Sequence, residues 1–328
     1  MVNREFQLLK CKRSNEEVDL TEENAVAIGP RAFQGNRRIE WIRLPKTLSA
    51  IKAQAFAKCR HLQSVEINKD TSIGISTASF SDCIRLKSIE NATRIVTIGS
   101  KAFENCYALD KIDLGNNLHK IGDGAFRGCR SLTSVSIPNE TTLVGKFAFA
   151  DCWNLQDVSL GNGISTIASG AFCNCISLKT IEIPATVTEI SAYALQNCSA
   201  LQDLTIPSTV KTVGRGAFFG CSRLKKVTIE LGSTKIGAFC FAGNRTLEEV
   251  ILPHSVKRLG FAAFGLKKRE KKIQICVENE YMLRRMRRAI LFCGSFLAAE
   301  VVMTGKTIAE RKRERRRNTL EQTAAHIS

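Results

Sequence analysis

The sequence predicts an elongated solenoid of about eleven stacked coils, with a parallel β-sheet on the concave face and a C-terminal helical cap. Three observations predict it. Phenylalanine, usually after alanine, recurs at Phe33, Phe56, Phe80, Phe103, Phe126, Phe149, Phe172, Phe218, Phe241 and Phe264, with Leu195 filling the gap; every step is 23 residues except the 24 between Phe56 and Phe80. An apolar frame recurs in register around each of these residues. Turn-forming residues bound each frame. A fixed period of this length marks a repeat whose single unit cannot bury its own apolar face and must stack on its neighbours.

Within a coil the elements follow in order. Five residues before the phenylalanine stands an aliphatic residue, from Ile28 and Ile51 to Leu259, and in seven coils glycine follows it, as at Gly99, Gly122 and Gly145. A tight corner with little room around the backbone accounts for that glycine. Three residues after the phenylalanine comes cysteine in eight coils, from Cys59 to Cys221, with Asn36 and Asn244 in the early and late coils. Leucine or isoleucine follows at six, then β-branched or leucine pairs at nine and eleven, such as Val65 with Ile67 and Ile181 with Ile183. That alternation predicts one short strand per coil, apolar side chains inward. Pro45, Pro138, Pro184, Pro207 and Pro253 fall directly after the strand, where a missing N–H ends the ladder at little cost. The third coil carries Asn91 where an inward Ile or Leu is expected, which predicts a local irregularity.

The segments "LKTIEIPATVTEISAYALQNC" and "LQDLTIPSTVKTVGRGAFFGC" resemble the BspA-like leucine-rich repeat family, whose units run approximately "LxxIxIPxxVxxIGxxAFxxC". The resemblance covers roughly residues 27–276. It implies a curved leucine-rich-repeat solenoid used for binding, as in bacterial surface adhesins and in expanded families of unicellular eukaryotes, and it implies no catalytic residues and no cofactor. The domain reading is a capping segment over 1–26, the solenoid over 27–276, a capping helix over 277–303 and a basic tail, flexible or helical, over 304–328.

Composition limits the function. The chain has 328 residues, 44% of them hydrophobic and 7% aromatic, in the range of an ordinary soluble protein. The charged N-terminal stretch shows no secretory signal, so an intracellular setting, cytoplasmic or nuclear, is expected. The 13 cysteines are then thiols rather than a disulfide framework. Eight of them form a line along the solenoid, whereas zinc needs ligands converging on one point. The four histidines occupy unrelated positions and offer no partner for a nucleophile. The ladder cysteines are therefore read as small apolar residues with a weak donor. Oxidation between neighbours is sterically conceivable, since stacked strands lie about 4.8 Å apart. No catalytic, cofactor-binding or metal-binding residue is assigned.

Charge supplies two candidate surfaces. If residues nine and eleven point inward, eight and ten line the concave sheet; from Trp41 to Ile251 those two rows hold seven acidic and three basic residues, against a formal charge of +17 for the chain. The candidate binding face comprises Trp41, Arg43, Glu66, Glu90, Asp113, Asp157, Glu182 and Asp203, and it favours a protein or peptide ligand of positive charge. The second surface is the cluster Arg311, Lys312, Arg313, Arg315, Arg316 and Arg317, through which a nuclear or nucleic-acid role would act. Residues 267–328 carry 16 Lys and Arg against 7 Asp and Glu. Met282, Met286, Ile290, Cys293 and Leu297 recur at helical spacing and predict a helix covering the open end of the solenoid. The apolar run 289–303 has 15 residues and includes Glu300, short of the roughly 20 that span a membrane. The leading functional expectation is a non-enzymatic protein-interaction scaffold.

Overall fold

A computed structural model of the chain describes residues 5–6, 16–265, 273–277, 280–292 and 299–303. The chain winds into a parallel-strand solenoid of about twelve turns. The extra turn lies at the N-terminal end. Glu17–Asp19 is a strand in register with Trp41–Arg43, pairing Glu17 with Trp41 and Asp19 with Arg43, so the parallel stacking extends into the segment 1–26 expected to cap the solenoid.

Most coils present their predicted strand on one side of the solenoid, the main sheet, which is paired in three separate runs. Val18, Ile42, Val65 and Ile89 stand in successive rungs of one segment, and Leu204, Val227, Val250, Ile275 and Val301 in another, all buried. Between them Ser134–Ser136 pairs only with Asp157–Ser159, because residues 111–115 and 180–184 follow the path of the coil without regular strand geometry. Asn91 marks the irregularity expected in the third coil. It adopts a left-handed conformation at φ 58°, heads the short 3-10 turn Ala92–Arg94, and donates its side-chain amide to the Ile67 carbonyl at 2.7 Å.

The expectation of one strand per coil is corrected by a second ladder. The aliphatic residues five before each phenylalanine form short parallel strands, running Ile28, Ile51, Ile75, Ile98, Ile121, Val144 and, after a break, Ile167, Ile190, Val213, Ile236, Leu259. The glycine that follows is required by the neighbouring coil rather than by φ: a Cβ on Gly122 would stand 2.5 Å from the Ser100 nitrogen, and one on Gly145 2.5 Å from the Asp123 nitrogen.

The turn around the phenylalanine makes a third ladder with no strand at all. Lys101, Phe103 and Asn105 donate their amides to the carbonyls of Asp123, Ala125 and Arg127 in the next coil, at 2.9, 2.7 and 2.8 Å. Between them Ala102, Glu104 and Cys106 donate back three residues within their own coil. This alternation satisfies every amide from Lys101 to Cys106, which a buried turn demands. It is reached with two left-handed residues per coil, two before and two after the phenylalanine, such as Lys101 at φ 58° and Asn105 at φ 61°.

The core follows from this winding. From Phe33 to Phe172 successive rings stack with centroids 5.0 to 5.5 Å apart and planes within 11° of parallel. Leu195 interrupts the column, fully buried, and Phe218, Phe241 and Phe264 resume it. Every ladder cysteine from Cys59 to Cys221 is buried. Each donates its S–H to the carbonyl of the phenylalanine, or of Leu195, in the preceding coil, at 2.9 to 3.3 Å.

The C-terminal end corrects the expected capping helix over 277–303. The helix occupies Glu280–Phe292 only, and Ala299–Met303 is a strand that pairs with Ile273–Val277 and extends the main sheet. Met282, Met286 and Ile290 are buried as their spacing predicts; Cys293 and Leu297 lie outside the described residues. The helix packs on this last strand and on Arg258–Leu259. Arg285 ties it to the final coil, donating to the Val256 carbonyl at 2.7 Å and the His254 carbonyl at 3.4 Å. Among the described residues no helix is long and apolar enough to cross a membrane.

Candidate binding surface

The outward residues of the main sheet fall into two parallel rows because strand residues alternate faces and the coils stack in register. The structure places the eight predicted residues along this face and gives them different states.

Trp41, Arg43 and Glu66 form a cluster closed on itself at the N-terminal end. The Arg43 guanidinium lies 4.3 Å from the Trp41 ring centroid, its Nε donates to Glu66 Oε2 at 2.8 Å, and its Nη1 stands 3.5 Å from Asp19 Oδ2. Asp19 was missed by the sequence reading because its coil lacks the phenylalanine that marks the others. The amide and hydroxyl of Thr21 both donate to its carboxylate, and with the Arg43 charge they hold its pKa below the ordinary carboxylate value. Hydrogen bonding to Glu66, aided by both negative charges, raises the Arg43 pKa further, so one cation is shared by two carboxylates and the cluster keeps a formal charge of −1.

Beyond it the face changes character. Glu90, Asp113, Asp157, Glu182 and Asp203 are exposed, and among the described residues no Lys or Arg stands within ion-pair distance of them. Glu90 and Asp113 occupy successive coils of one row. Two like charges about 4 Å apart repel by about 1 kcal/mol in bulk water. Asp113 and Glu182 also fall in the two coils that break the sheet. At the C-terminal end the balance returns: Lys226 bonds Glu249 at 2.8 Å, and Glu249 Oε1 accepts the Cys276 thiol at 3.5 Å. The Lys226 bond lowers the Glu249 pKa; burial first, then the facing carboxylate, push the Cys276 thiol up to about 11, so it is a neutral donor. The face thus has ion-paired carboxylates at its two ends and, between them, carboxylates outside any ion pair among the described residues, with Lys111 in the outward rows and Lys226 on the rung next to Asp203.

The ladder sulfurs do not form a reactive site. Burial raises Cys59 and Cys221 to about 12 and holds the thiols between them far above the ordinary value. Among the described residues no group of three His, Cys, Asp or Glu converges as a metal site. The basic cluster Arg311, Lys312, Arg313, Arg315, Arg316 and Arg317 lies outside the described residues.

A parallel solenoid with a buried phenylalanine–cysteine column and a charged strand face defines the class: a leucine-rich repeat protein. The chain belongs to the BspA-type leucine-rich repeat family, whose model matches residues 26–156 and 142–270. No curated protein sequence matches the chain. Among solved structures it is similar to the pneumococcal vaccine antigen PcpA, with 15% identity over 91% of each chain and a TM-score of 0.50, a likeness of fold. A leucine-rich repeat protein from Bacteroides ovatus shares 20% identity over 88% of this chain and 92% of its own, TM-score 0.48. A leucine-rich cell surface protein from Faecalibacterium prausnitzii shares 21% over 89% of each chain, TM-score 0.42.

Proposed function

We propose that the protein is a non-catalytic interaction scaffold that holds a basic segment of a partner protein against the acidic stretch of its main sheet. Membership of a repeat family suggests an interaction scaffold. The observation that carries the finer reading is the run of five exposed carboxylates, Glu90, Asp113, Asp157, Glu182 and Asp203, none of them in an ion pair among the described residues, whereas Glu66 and Glu249 towards the two ends of the face are paired. A cationic ligand relieves their mutual repulsion, and complementary charge fixes its register and speeds its encounter. The expected setting is intracellular, cytoplasmic or nuclear; the ladder thiols support it, because each uses the S–H that a disulfide would remove.

The test is affinity capture from the native cell with the full chain and with the triple variant Glu90→Lys, Asp113→Lys, Asp203→Lys, at low and high salt. Loss of a partner in the variant and its release by salt support the reading. Capture of the same partners by both proteins at both salts overturns it.

A further inference from the structure

Beside the acidic sheet, the edge where each cysteine turn enters its strand carries the opposite charge and a different chemistry. Tyr107, Arg130 and Trp153 stand 23 residues apart and therefore fall on adjacent rungs of that edge. The Arg130 guanidinium is clamped between the two rings, 4.6 Å from the Tyr107 centroid and 4.1 Å from that of Trp153. Ring faces hold the guanidinium plane and leave its in-plane N–H groups directed elsewhere. Arg130 is exposed, and no carboxylate or carbonyl among the described residues accepts from it. A guanidinium already fixed in orientation loses little further freedom on binding an anion.

Trp153 is 41% exposed, and past it opens a groove of about 610 Å³. Ile176, 45% exposed, forms an apolar step beside Ala200; Ser177 and Ser199 supply hydroxyls, and Lys179 and Arg223 line the sides. Arg223 is also exposed, with no acceptor among the described residues. From Arg130 to Arg223 is four coils, roughly 19 Å at about 4.8 Å per rung, the reach of about six extended residues at about 3.3 Å each.

The geometry points to a second binding site, for an extended acidic peptide that sets a carboxylate on Arg130 and another on Arg223 and an aliphatic side chain between them on Trp153 and Ile176. Bidentate pairing of planar guanidinium with carboxylate gives each end its direction. The apolar middle distinguishes the ligand from a single-stranded nucleic acid, which needs successive free ring faces; here Tyr107 and one face of Trp153 are occupied by Arg130. The site does not rest on the acidic stretch of the main sheet, and its ligand has the opposite charge.

The test is fluorescence anisotropy of a capped, labelled seven-residue peptide, with two aspartates at each end and a central leucine, titrated with the full chain at low salt. Saturable binding is expected, weakened about tenfold or more by Arg130→Ala. Arg130→Lys, which keeps the charge and loses the clamped plane, weakens it too, as does replacing the peptide's leucine by glycine. Absence of saturable binding, or equal binding by Arg130→Ala, overturns the proposal. Preference of the same surface for a single-stranded oligonucleotide over the peptide also overturns it and assigns the edge to nucleic acid.

Discussion

Cys129 donates its thiol to the main-chain carbonyl of Phe103 in the coil before it, at 3.2 Å, while the same carbonyl accepts the amide of Cys106 in its own coil. One sulfur thereby joins two coils from a fully buried position. This relationship, repeated from Cys59 to Cys221, explains why cysteine rather than alanine or valine recurs at the position.

Substitutions of Cys129 should therefore separate donor from volume. Cys129→Ser keeps a donor for the Phe103 carbonyl and should cost about 1 kcal/mol or less. Cys129→Val removes the donor and forces a second γ-carbon into a packed slot, at about 2 kcal/mol. Urea denaturation measures both, and equal losses would show that the hydrogen bond contributes nothing.

Stability should fall steeply at alkaline pH. The thiols of Cys59 and Cys221 are raised to about 12 in the folded chain, and that of Cys152 is raised further, all by burial. An unfolded thiol ionises near about 8.5. Above that pH the unfolded chain has released protons that the native chain retains, so the stabilising contribution, complete below about 8.5, is lost as pH rises towards 12 at roughly 1.4 kcal/mol per thiol per pH unit. Denaturation midpoints at stepped pH should drop from about pH 9 upward, and a flat profile to pH 11 would contradict the buried, protonated state.

Two glycines should respond differently to alanine. Gly122 meets the backbone of the preceding coil, with the Gly99 carbonyl carbon 2.6 Å from the position of an added Cβ, so Gly122→Ala should cost about 1–3 kcal/mol by forcing coils apart. Gly35 has φ 70° and nothing within 4 Å of that position, leaving only backbone strain of about 1 kcal/mol. Thermal unfolding of the two variants should rank them in that order.

Removal of the Arg285 guanidinium should loosen the C-terminal cap. Its hydrogen bonds to the carbonyls of Val256 and His254 connect the helix Glu280–Phe292 to the final coil. Arg285→Ala should speed amide hydrogen exchange in that helix by about tenfold or more, consistent with a charge-assisted bond of about 1.5–3 kcal/mol. Unchanged exchange would assign the attachment to Met282, Met286 and Ile290 alone.

The period, the buried column and the outward rows of the main sheet were legible because each rests on a residue type repeated many times in register. The second ladder was not, because two-residue strands such as Lys120–Ile121 are too short to show an alternation. The left-handed turns were half legible: Gly, Asn or Asp two residues after the phenylalanine signals that conformation, but Phe147, Tyr193 and Phe239, which adopt it two residues before, do not. Ala299–Met303 was read as helix because a short apolar run fits both periods, and tertiary pairing with Ile273–Val277 decided it. In the binding face, composition revealed the acidic rows but not that Arg43 closes Trp41, Asp19 and Glu66 into one cluster. The clamped Arg130 was invisible for the same reason: its partners lie 23 residues away on either side.

Carboxyl footprinting tests the acidic stretch most directly. The protein is treated with a carbodiimide and an amine, alone and with its captured partner, and each site is read by mass spectrometry. The account predicts joint protection of Glu90, Asp113, Asp157, Glu182 and Asp203, with Glu140 and Glu189, exposed away from the outward rows of the main sheet, labelled as before. Unchanged labelling of those five carboxylates in a stable complex would contradict it.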